Sequence, residues 1–472
     1  MSIRRDQAFI TLLLLLISSG AWAQPLNSDR IPSPLMLADA IQFGLEHYPS
    51  IRAAVARVSA AKSGIDLSQT SYLPRLDLGF QENRATFNNV SGLYFPNSYT
   101  QPISGADLGR RSYSSAWGSS GGAFAAWEPF DFGLRAANVE TARAGERQAF
   151  AGSALTQLDV GLGVGDAFLG VLAAQETVQA AKADVERRRV FADTVNVLVK
   201  NGLRPGIDAS RVAAELAGAR TQLIQAEQAE EIARATLAEV LGIAGERLDV
   251  QPGPLLRLPP AGSIQERPLT AHPLAEAQKS TIEVFQRRKE ALDRAWVPRL
   301  DLQAAFFGRG SGWDARGNHG ASTDGLSPDT GNWAGGLTVT FPLFDFASIR
   351  AKRATEQSNE DAERARYDEV LQQLKGKGAK ARATIDGAQR IAENTPVQVM
   401  AARDTEVQAR ARYQAGLANV IEVAEAQRLL VQASIDDALA RLGVWRALLL
   451  GAGAMGDLHP YLDLLKISEG GR

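Results

Sequence analysis

Glu422 and Glu425 stand three residues apart, a spacing that sets two carboxylates on one face of a helix. The chemistry open to such a pair is attraction of cations and mutual elevation of pKa. On its own it reads most simply as a solvated helix surface. The four histidines, His47, His272, His319 and His459, are scattered, and none has the His-Glu-x-x-His spacing that puts two zinc ligands on one helix face. The chain has no cysteine, which removes disulfides and thiolate metal sites. No glycine-rich phosphate loop follows a strand. These residues recommend no catalytic, metal or cofactor chemistry, and the expectation is a protein that is not an enzyme and needs no cofactor.

Composition narrows the class further. The 53 acidic and 51 basic residues nearly cancel, so a nucleic-acid partner is not suggested. Arg4 and Arg5, the apolar run from Leu12 to Ile17 and the small-residue site Ala21-Trp22-Ala23 read as an export signal over residues 1 to 23, with cleavage before Gln24. That apolar run is far shorter than the roughly 20 residues a helix needs to span a bilayer. Without cysteine there is no thiol to carry a lipid at the mature N-terminus. No later stretch reads as an apolar helical span, so any membrane-crossing part is expected to be barrel strands, whose backbone groups are satisfied by closure.

The elements that must position these residues are announced by a repeat. Tyr72-Leu73-Pro74-Arg75-Leu76-Asp77-Leu78 recurs 224 positions later as Trp296-Val297-Pro298-Arg299-Leu300-Asp301-Leu302. Phe130-Asp131-Phe132 recurs 214 positions later as Phe344-Asp345-Phe346, and Gly202-Leu203 and Asp208 keep that offset at Gly416-Leu417 and Glu422. One offset held over so long a stretch predicts duplication. The first copy is placed at 24–242 and the second at 272–451, with a connector at 243–271 and a tail at 452–472.

Residues 133 to 201 hold no proline and end at Asn201-Gly202, which predicts one helix roughly 100 Å long. Shorter helical stretches at 39–71 and 206–242 would line it end to end, burying apolar seams as coiled coils do. The second copy repeats this at 272–296, 346–415 and 419–451, with Pro396 expected to kink its long helix. Strands are expected near 73–86, 112–130, 298–310 and 331–345. Leu76, Leu78 and Phe80 alternate with Asp77, Gly79 and Gln81, the dyad pattern of strands that meet lipid on one face and water on the other. The segments at 87–111 and 308–330, rich in Gly, Ser, Asn and Pro, read as outer loops. Trp117, Trp127, Phe130, Trp296, Trp333, Phe341 and Phe344 gather near strand ends, where interface belts occur. Four strands cannot close a barrel around a pore, so several chains must contribute.

Taken together, these residues resemble the TolC-like outer-membrane factors of tripartite efflux pumps and type I secretion systems. The resemblance is carried by Leu37-Ala38-Asp39-Ala40 with Pro49, the paired Pro-Arg-Leu-Asp-Leu strand starts, the paired Phe-Asp-Phe strand ends, and Arg412-Tyr413-Gln414-Ala415-Gly416-Leu417 with Val420 to Glu425. It implies an α+β membrane protein: a homotrimer whose four strands per protomer make an outer-membrane barrel continuous with a long periplasmic α-helical barrel. It implies an equatorial region at about 24–38, 243–271 and after 452. It also implies an exit duct working with a periplasmic adaptor and an inner-membrane pump or ABC exporter.

In the family, positions matching Tyr413, Glu422 and Glu425 lie at the periplasmic gate, where a trimer would gather six carboxylates. The turns at Gly202, Leu203, Gly416 and Leu417 are the implied adaptor-docking tips. A basic residue often found just after the second glycine is replaced here by Ala418. The first-half counterparts of Tyr413, Glu422 and Glu425 are Val199, Asp208 and Arg211, so the acidic pair belongs to the second copy alone. Small-molecule efflux is the leading expectation, with type I protein secretion as the alternative. A periplasmic coiled-coil adaptor or scaffold without a barrel is the alternative of another class.

Overall fold

A computed structural model of the protein describes residues 31–86, 113–260, 267–314, 318 and 320–470. The export signal with its cleavage site, the first outer loop, His319 and part of the connector lie outside these residues. The described elements run α1 (Leu37–His47), α2 (Pro49–Thr70), β1 (Arg75–Thr86), β2 (Ser115–Phe130), α3 (Leu134–Lys200), α4 (Gly206–Val240), α5 (Pro273–Leu292), β3 (Arg299–Ser311), β4 (Thr330–Thr340), α6 (Phe346–Gln414), α7 (Val420–Met455) and α8 (His459–Gly470). Two short 3-10 turns, Gly253–Leu256 and Leu269–Ala271, fall between α4 and α5.

The stretch read as one helix from 39 to 71 is two helices broken at Tyr48, whose backbone is extended. Pro49 explains the break: its ring disfavours helical geometry in the residue before it, while its own fixed φ suits the first helical position. By contrast, α6 runs unbroken for 69 residues through Pro396. Pro396 has no N–H to give to the preceding turn. Beside it, the buried Thr395 hydroxyl donates to Asp437 Oδ1 of α7 at 2.9 Å.

The strands form one antiparallel sheet in the order β1-β2-β3-β4. Its register places Leu76, Leu78 and Phe80 of β1 on the same face as Ala123 and Ala125 of β2, Leu302 and Phe306 of β3, and Trp333, Leu337 and Val339 of β4. The large side chains on this face are exposed. The opposite face carries Asp77, Gln81, Asp301, Gln303, Asn332, Thr338 and Thr340, with Phe124 and Phe307 among them. Alternation along each strand is therefore kept in phase across all four, which is what makes a two-faced sheet. At Gly122 a Cβ would lie 2.4 Å from the Phe306 carbonyl oxygen, so β2 and β3 approach as they do because no side chain intervenes.

A built corner joins sheet to helix. Phe132 has φ 51° and Gly133 has φ 94°, two consecutive left-handed residues that turn the chain from β2 into α3. Asp131 accepts from the Gly133 N–H at 3.2 Å and from the Arg135 N–H. The buried Arg135 guanidinium answers Asp131 at 3.2 Å, donates to the Ser71 carbonyl at 3.1 Å and lies over the Tyr72 ring at 4.8 Å.

Below the corner, α2 and α4 both pack along α3, and α5 and α7 both pack along α6. Contacts of α5 and α7 with α3 tie the two sets together. The largest core is assembled where α1, the middle of α3, the end of α4, the C-terminal part of α7, and α8 meet, around Phe168, Leu172, Leu241, Trp445 and Tyr461. Trp445 donates to the Arg257 carbonyl at 2.9 Å, and Leu35 bridges to Val250 in parallel. This core corrects one sequence expectation: α3 and α7 each contain an 18-residue window with mean hydropathy 1.3, apolar enough by composition to cross a membrane. Half of each window is buried in the protein, as the hydrophobic pattern of a core helix requires.

Candidate functional site

At the end of the helices farthest along the chain from the sheet, two helical turns lie side by side: 201–205 between α3 and α4, and 415–419 between α6 and α7. Each closes by the same device. Gly202 has φ 70° and Gly416 has φ 80°. The Leu203 N–H donates to the Leu198 carbonyl at 2.9 Å, and the Leu417 N–H to the Arg412 carbonyl at 2.8 Å. These are the left-handed caps that glycine makes cheaply after a long helix. Leu203 and Leu417 project outward, 68% and 71% exposed.

Between the turns sits a small core of Phe191, Ala192, Val195, Val212, Tyr413, Ala418, Val420 and Val423. Tyr413 is its centre and is fully buried. Phe191 meets it edge to face at 5.3 Å. The Tyr413 hydroxyl donates to Asp208 Oδ2 at 3.3 Å, and the Arg204 guanidinium lies 4.4 Å from the ring centroid. Arg204 also donates to the Tyr413 carbonyl oxygen at 2.6 Å. Burial holds the phenol above its usual pKa; the Asp208 carboxylate adds to the rise, and Arg204 opposes it.

The other predicted residues are placed differently. Glu422 forms a capping box with Asn419, whose side chain accepts from the Ile421 and Glu422 N–H groups at 3.0 Å. Its carboxylate is 4.0 Å from Arg412. Glu425 accepts from Arg428 through both oxygens at 2.7 Å. The two glutamates thus share the opening turns of α7 but lean on separate arginines, and neither reaches the Tyr413 ring or hydroxyl.

Sequence reasoning did not single out Arg204 or Phe191, and it knew Asp208 only as a counterpart of Glu422. A signal was available for Arg204, which occupies in Gly202-Leu203-Arg204 the place that Ala418 holds in Gly416-Leu417-Ala418. Of the histidines, His47 stacks on Phe43 at 4.2 Å, His272 caps α5 and His459 meets Asp457, so each is engaged in local structure.

The family model described as outer membrane efflux protein matches residues 40–243 and 270–449. The chain belongs to the outer membrane efflux protein family. It is similar to Protein CyaE of Bordetella pertussis, with 26% identity over 417 residues covering 86% of this chain and 81% of that protein. It is also similar to the pyoverdine export outer membrane protein OpmQ of Pseudomonas aeruginosa, 24% identical over 436 residues, 89% of this chain and 86% of that one. The fold matches the solved outer-membrane channel OprN with a TM-score of 0.69 at 20% identity, covering 89% of both chains. As a member of the outer membrane efflux protein family, the chain is a TolC-like outer-membrane exit channel of an efflux system.

Proposed function

We propose that three copies close a twelve-stranded barrel continuous with a periplasmic helical tube, and that this assembly passively exports small molecules handed over by an inner-membrane pump through an adaptor. The sheet carries this reading. Its four strands have one exposed apolar face and one polar face, and its edges β1 and β4 have no strand partner among the described residues. Open edges and too few strands for closure call for further copies, and three supply twelve strands. Leu76, Leu78, Phe306 and Leu337 then meet lipid, while Asp77, Asp301 and Thr338 line water. Exposed Val397, Met400 and Val407 on α6, spaced as a coiled-coil seam, and Ile224 and Ile232 on α4 are surfaces for neighbouring copies to cover.

In this reading the chain is a duplicated unit, 24–242 and 272–451, exported with cleavage before Gln24 and held without a lipid anchor. The paired turns are the periplasmic mouth: Tyr413 holds it shut, Glu422 and Glu425 ring it, and Gly202-Leu203 and Gly416-Leu417 meet the adaptor. Small-molecule cargo is supported by the relative named for pyoverdine export. The test is direct. The protein should fractionate with the outer membrane as a detergent-resistant trimer and form cation-preferring channels in lipid bilayers. Replacing both glutamates by Ala should weaken that preference and the block by multivalent cations; an unchanged preference overturns their assignment. Gene deletion should raise drug susceptibility, whereas loss of a secreted polypeptide alone would transfer the protein to type I secretion.

A further inference from the structure

We infer that Arg204 is the latch that keeps the second hairpin's tip against the first, and that the latch and the adaptor-facing turn form one mechanical unit. This rests on reading Tyr413 as part of a closing mouth. Tyr413 is gripped at both ends by residues four apart in the first hairpin: Arg204 takes the ring face and main-chain carbonyl, and Asp208 takes the hydroxyl. The two grips differ in strength. The Arg204 bond to the carbonyl is short and charge-assisted at 2.6 Å, whereas the hydroxyl reaches Asp208 only at 3.3 Å. Tyr413 is fully buried and Arg204 half-buried, so the cation over the ring is partly withdrawn from water, where such contacts are stronger than at an exposed site.

The same carbonyl also accepts the Gly416 N–H at 3.1 Å, so Arg204 is bonded to the very group that closes the second turn. No cation stands at Ala418, and Arg412 points instead to the Leu417 carbonyl and Glu422. Among the described residues, Arg204 is the cation on Tyr413. It is the basic residue of this tip, supplied from the opposite hairpin.

Coupling to the outside follows from chain order. Leu203, exposed on the docking turn, is bonded directly to Arg204, and Pro205 behind it has φ −63°. The Pro205 ring fixes its own φ and restricts the backbone of Arg204 before it, so displacement of the Leu203 turn pivots at Gly202 and carries Arg204 off the ring. A partner with an apolar tip that seats on Leu203 thereby releases Tyr413.

The experiment uses the full-length trimer in planar bilayers without adaptor. Arg204→Ala should raise open-state occupancy roughly tenfold, with Arg204→Lys, which keeps charge but loses the planar fork, falling between. The chain contains no native cysteine, so Leu203→Cys can be labelled alone. A bulky thiol reagent there should open the channel in the otherwise native protein and add little in the Arg204→Ala background. If Tyr413→Ala opens the channel while an assembled Arg204→Ala trimer stays closed, the latch is overturned and the mouth stands. If neither opens it, the mouth reading falls as well. A labelled Leu203→Cys channel that stays closed removes the coupling. Should Arg204→Ala not assemble, Arg204→Met, which keeps the packing length, carries the same expectation.

Discussion

Glu360 shows how one charged side chain is made tolerable inside a helical pair. It is buried on α6, where burial alone would raise its pKa, but hydrogen bonds from Lys289, Arg364 and Gln286 bring it down to about 2. Lys289 at 2.6 Å and Gln286 at 3.1 Å come from α5, so the carboxylate pins two helices. Because the folded-state value lies below the ordinary 4.5, its contribution is complete above pH 4.5 and disappears as pH falls toward 2. Glu360→Gln should cost about 3 kcal/mol near neutrality, the penalty for stranding a half-buried cation, and should flatten that acid limb of a thermal-unfolding series. Tyr461 is the opposite case. Burial raises its pKa, and its hydroxyl finds no partner among the described residues, so its worth lies in its ring against Trp445.

At the scale of elements, the start of α5 depends on His272. Its Nδ1 accepts from the Leu274 N–H at 3.1 Å and its Nε2 meets the Gly453 carbonyl at 3.1 Å, which fixes the neutral tautomer with the proton on Nε2. Burial lowers its pKa; the Gly453 carbonyl and Asp159 oppose this, and Lys377 reinforces it. A lowered value means that the contribution of the neutral cap to stability is complete above pH 6.5 and declines as pH falls below it toward the lower folded-state value. His272→Asn, which can cap without titrating, should remove this slope from the stability curve below pH 6.5. The elements differ in how openly the chain declares them. The long helix from Leu134 and the alternation on β1 rest on local facts: absence of proline and a period of two. The break at Tyr48 is equally local and follows from Pro49. The Arg204–Tyr413 contact joins residues 209 apart, and local period says nothing of such partners.

For the whole molecule, the two-faced sheet predicts an asymmetry of substitution. If the proposed three-copy barrel forms, Leu78→Arg, on the apolar face, should abolish the detergent-resistant trimer on gels, since an arginine facing mid-membrane lipid costs roughly 2–4 kcal/mol. Thr338→Arg, on the polar face, should assemble and change only conductance. Equal loss in both would remove the distinction between lipid and water faces. The central core resisted sequence reading for a reason of scale. Leu35, Phe168, Leu241, Trp445 and Tyr461 come from distant parts of the chain, and each lies in a segment whose own pattern is that of an ordinary buried helix or connector.

The corner at Phe132 has a mechanical meaning. Its left-handed pair, the Asp131 bonds and the buried Arg135 clamp brace the junction of β2 and α3 against rotation. α3 therefore behaves as a lever held fast at its sheet end. In the proposed assembly, a twist applied at the far turns would be taken up as bending along some 100 Å of helix, and the barrel would keep its diameter whether the mouth is shut or open.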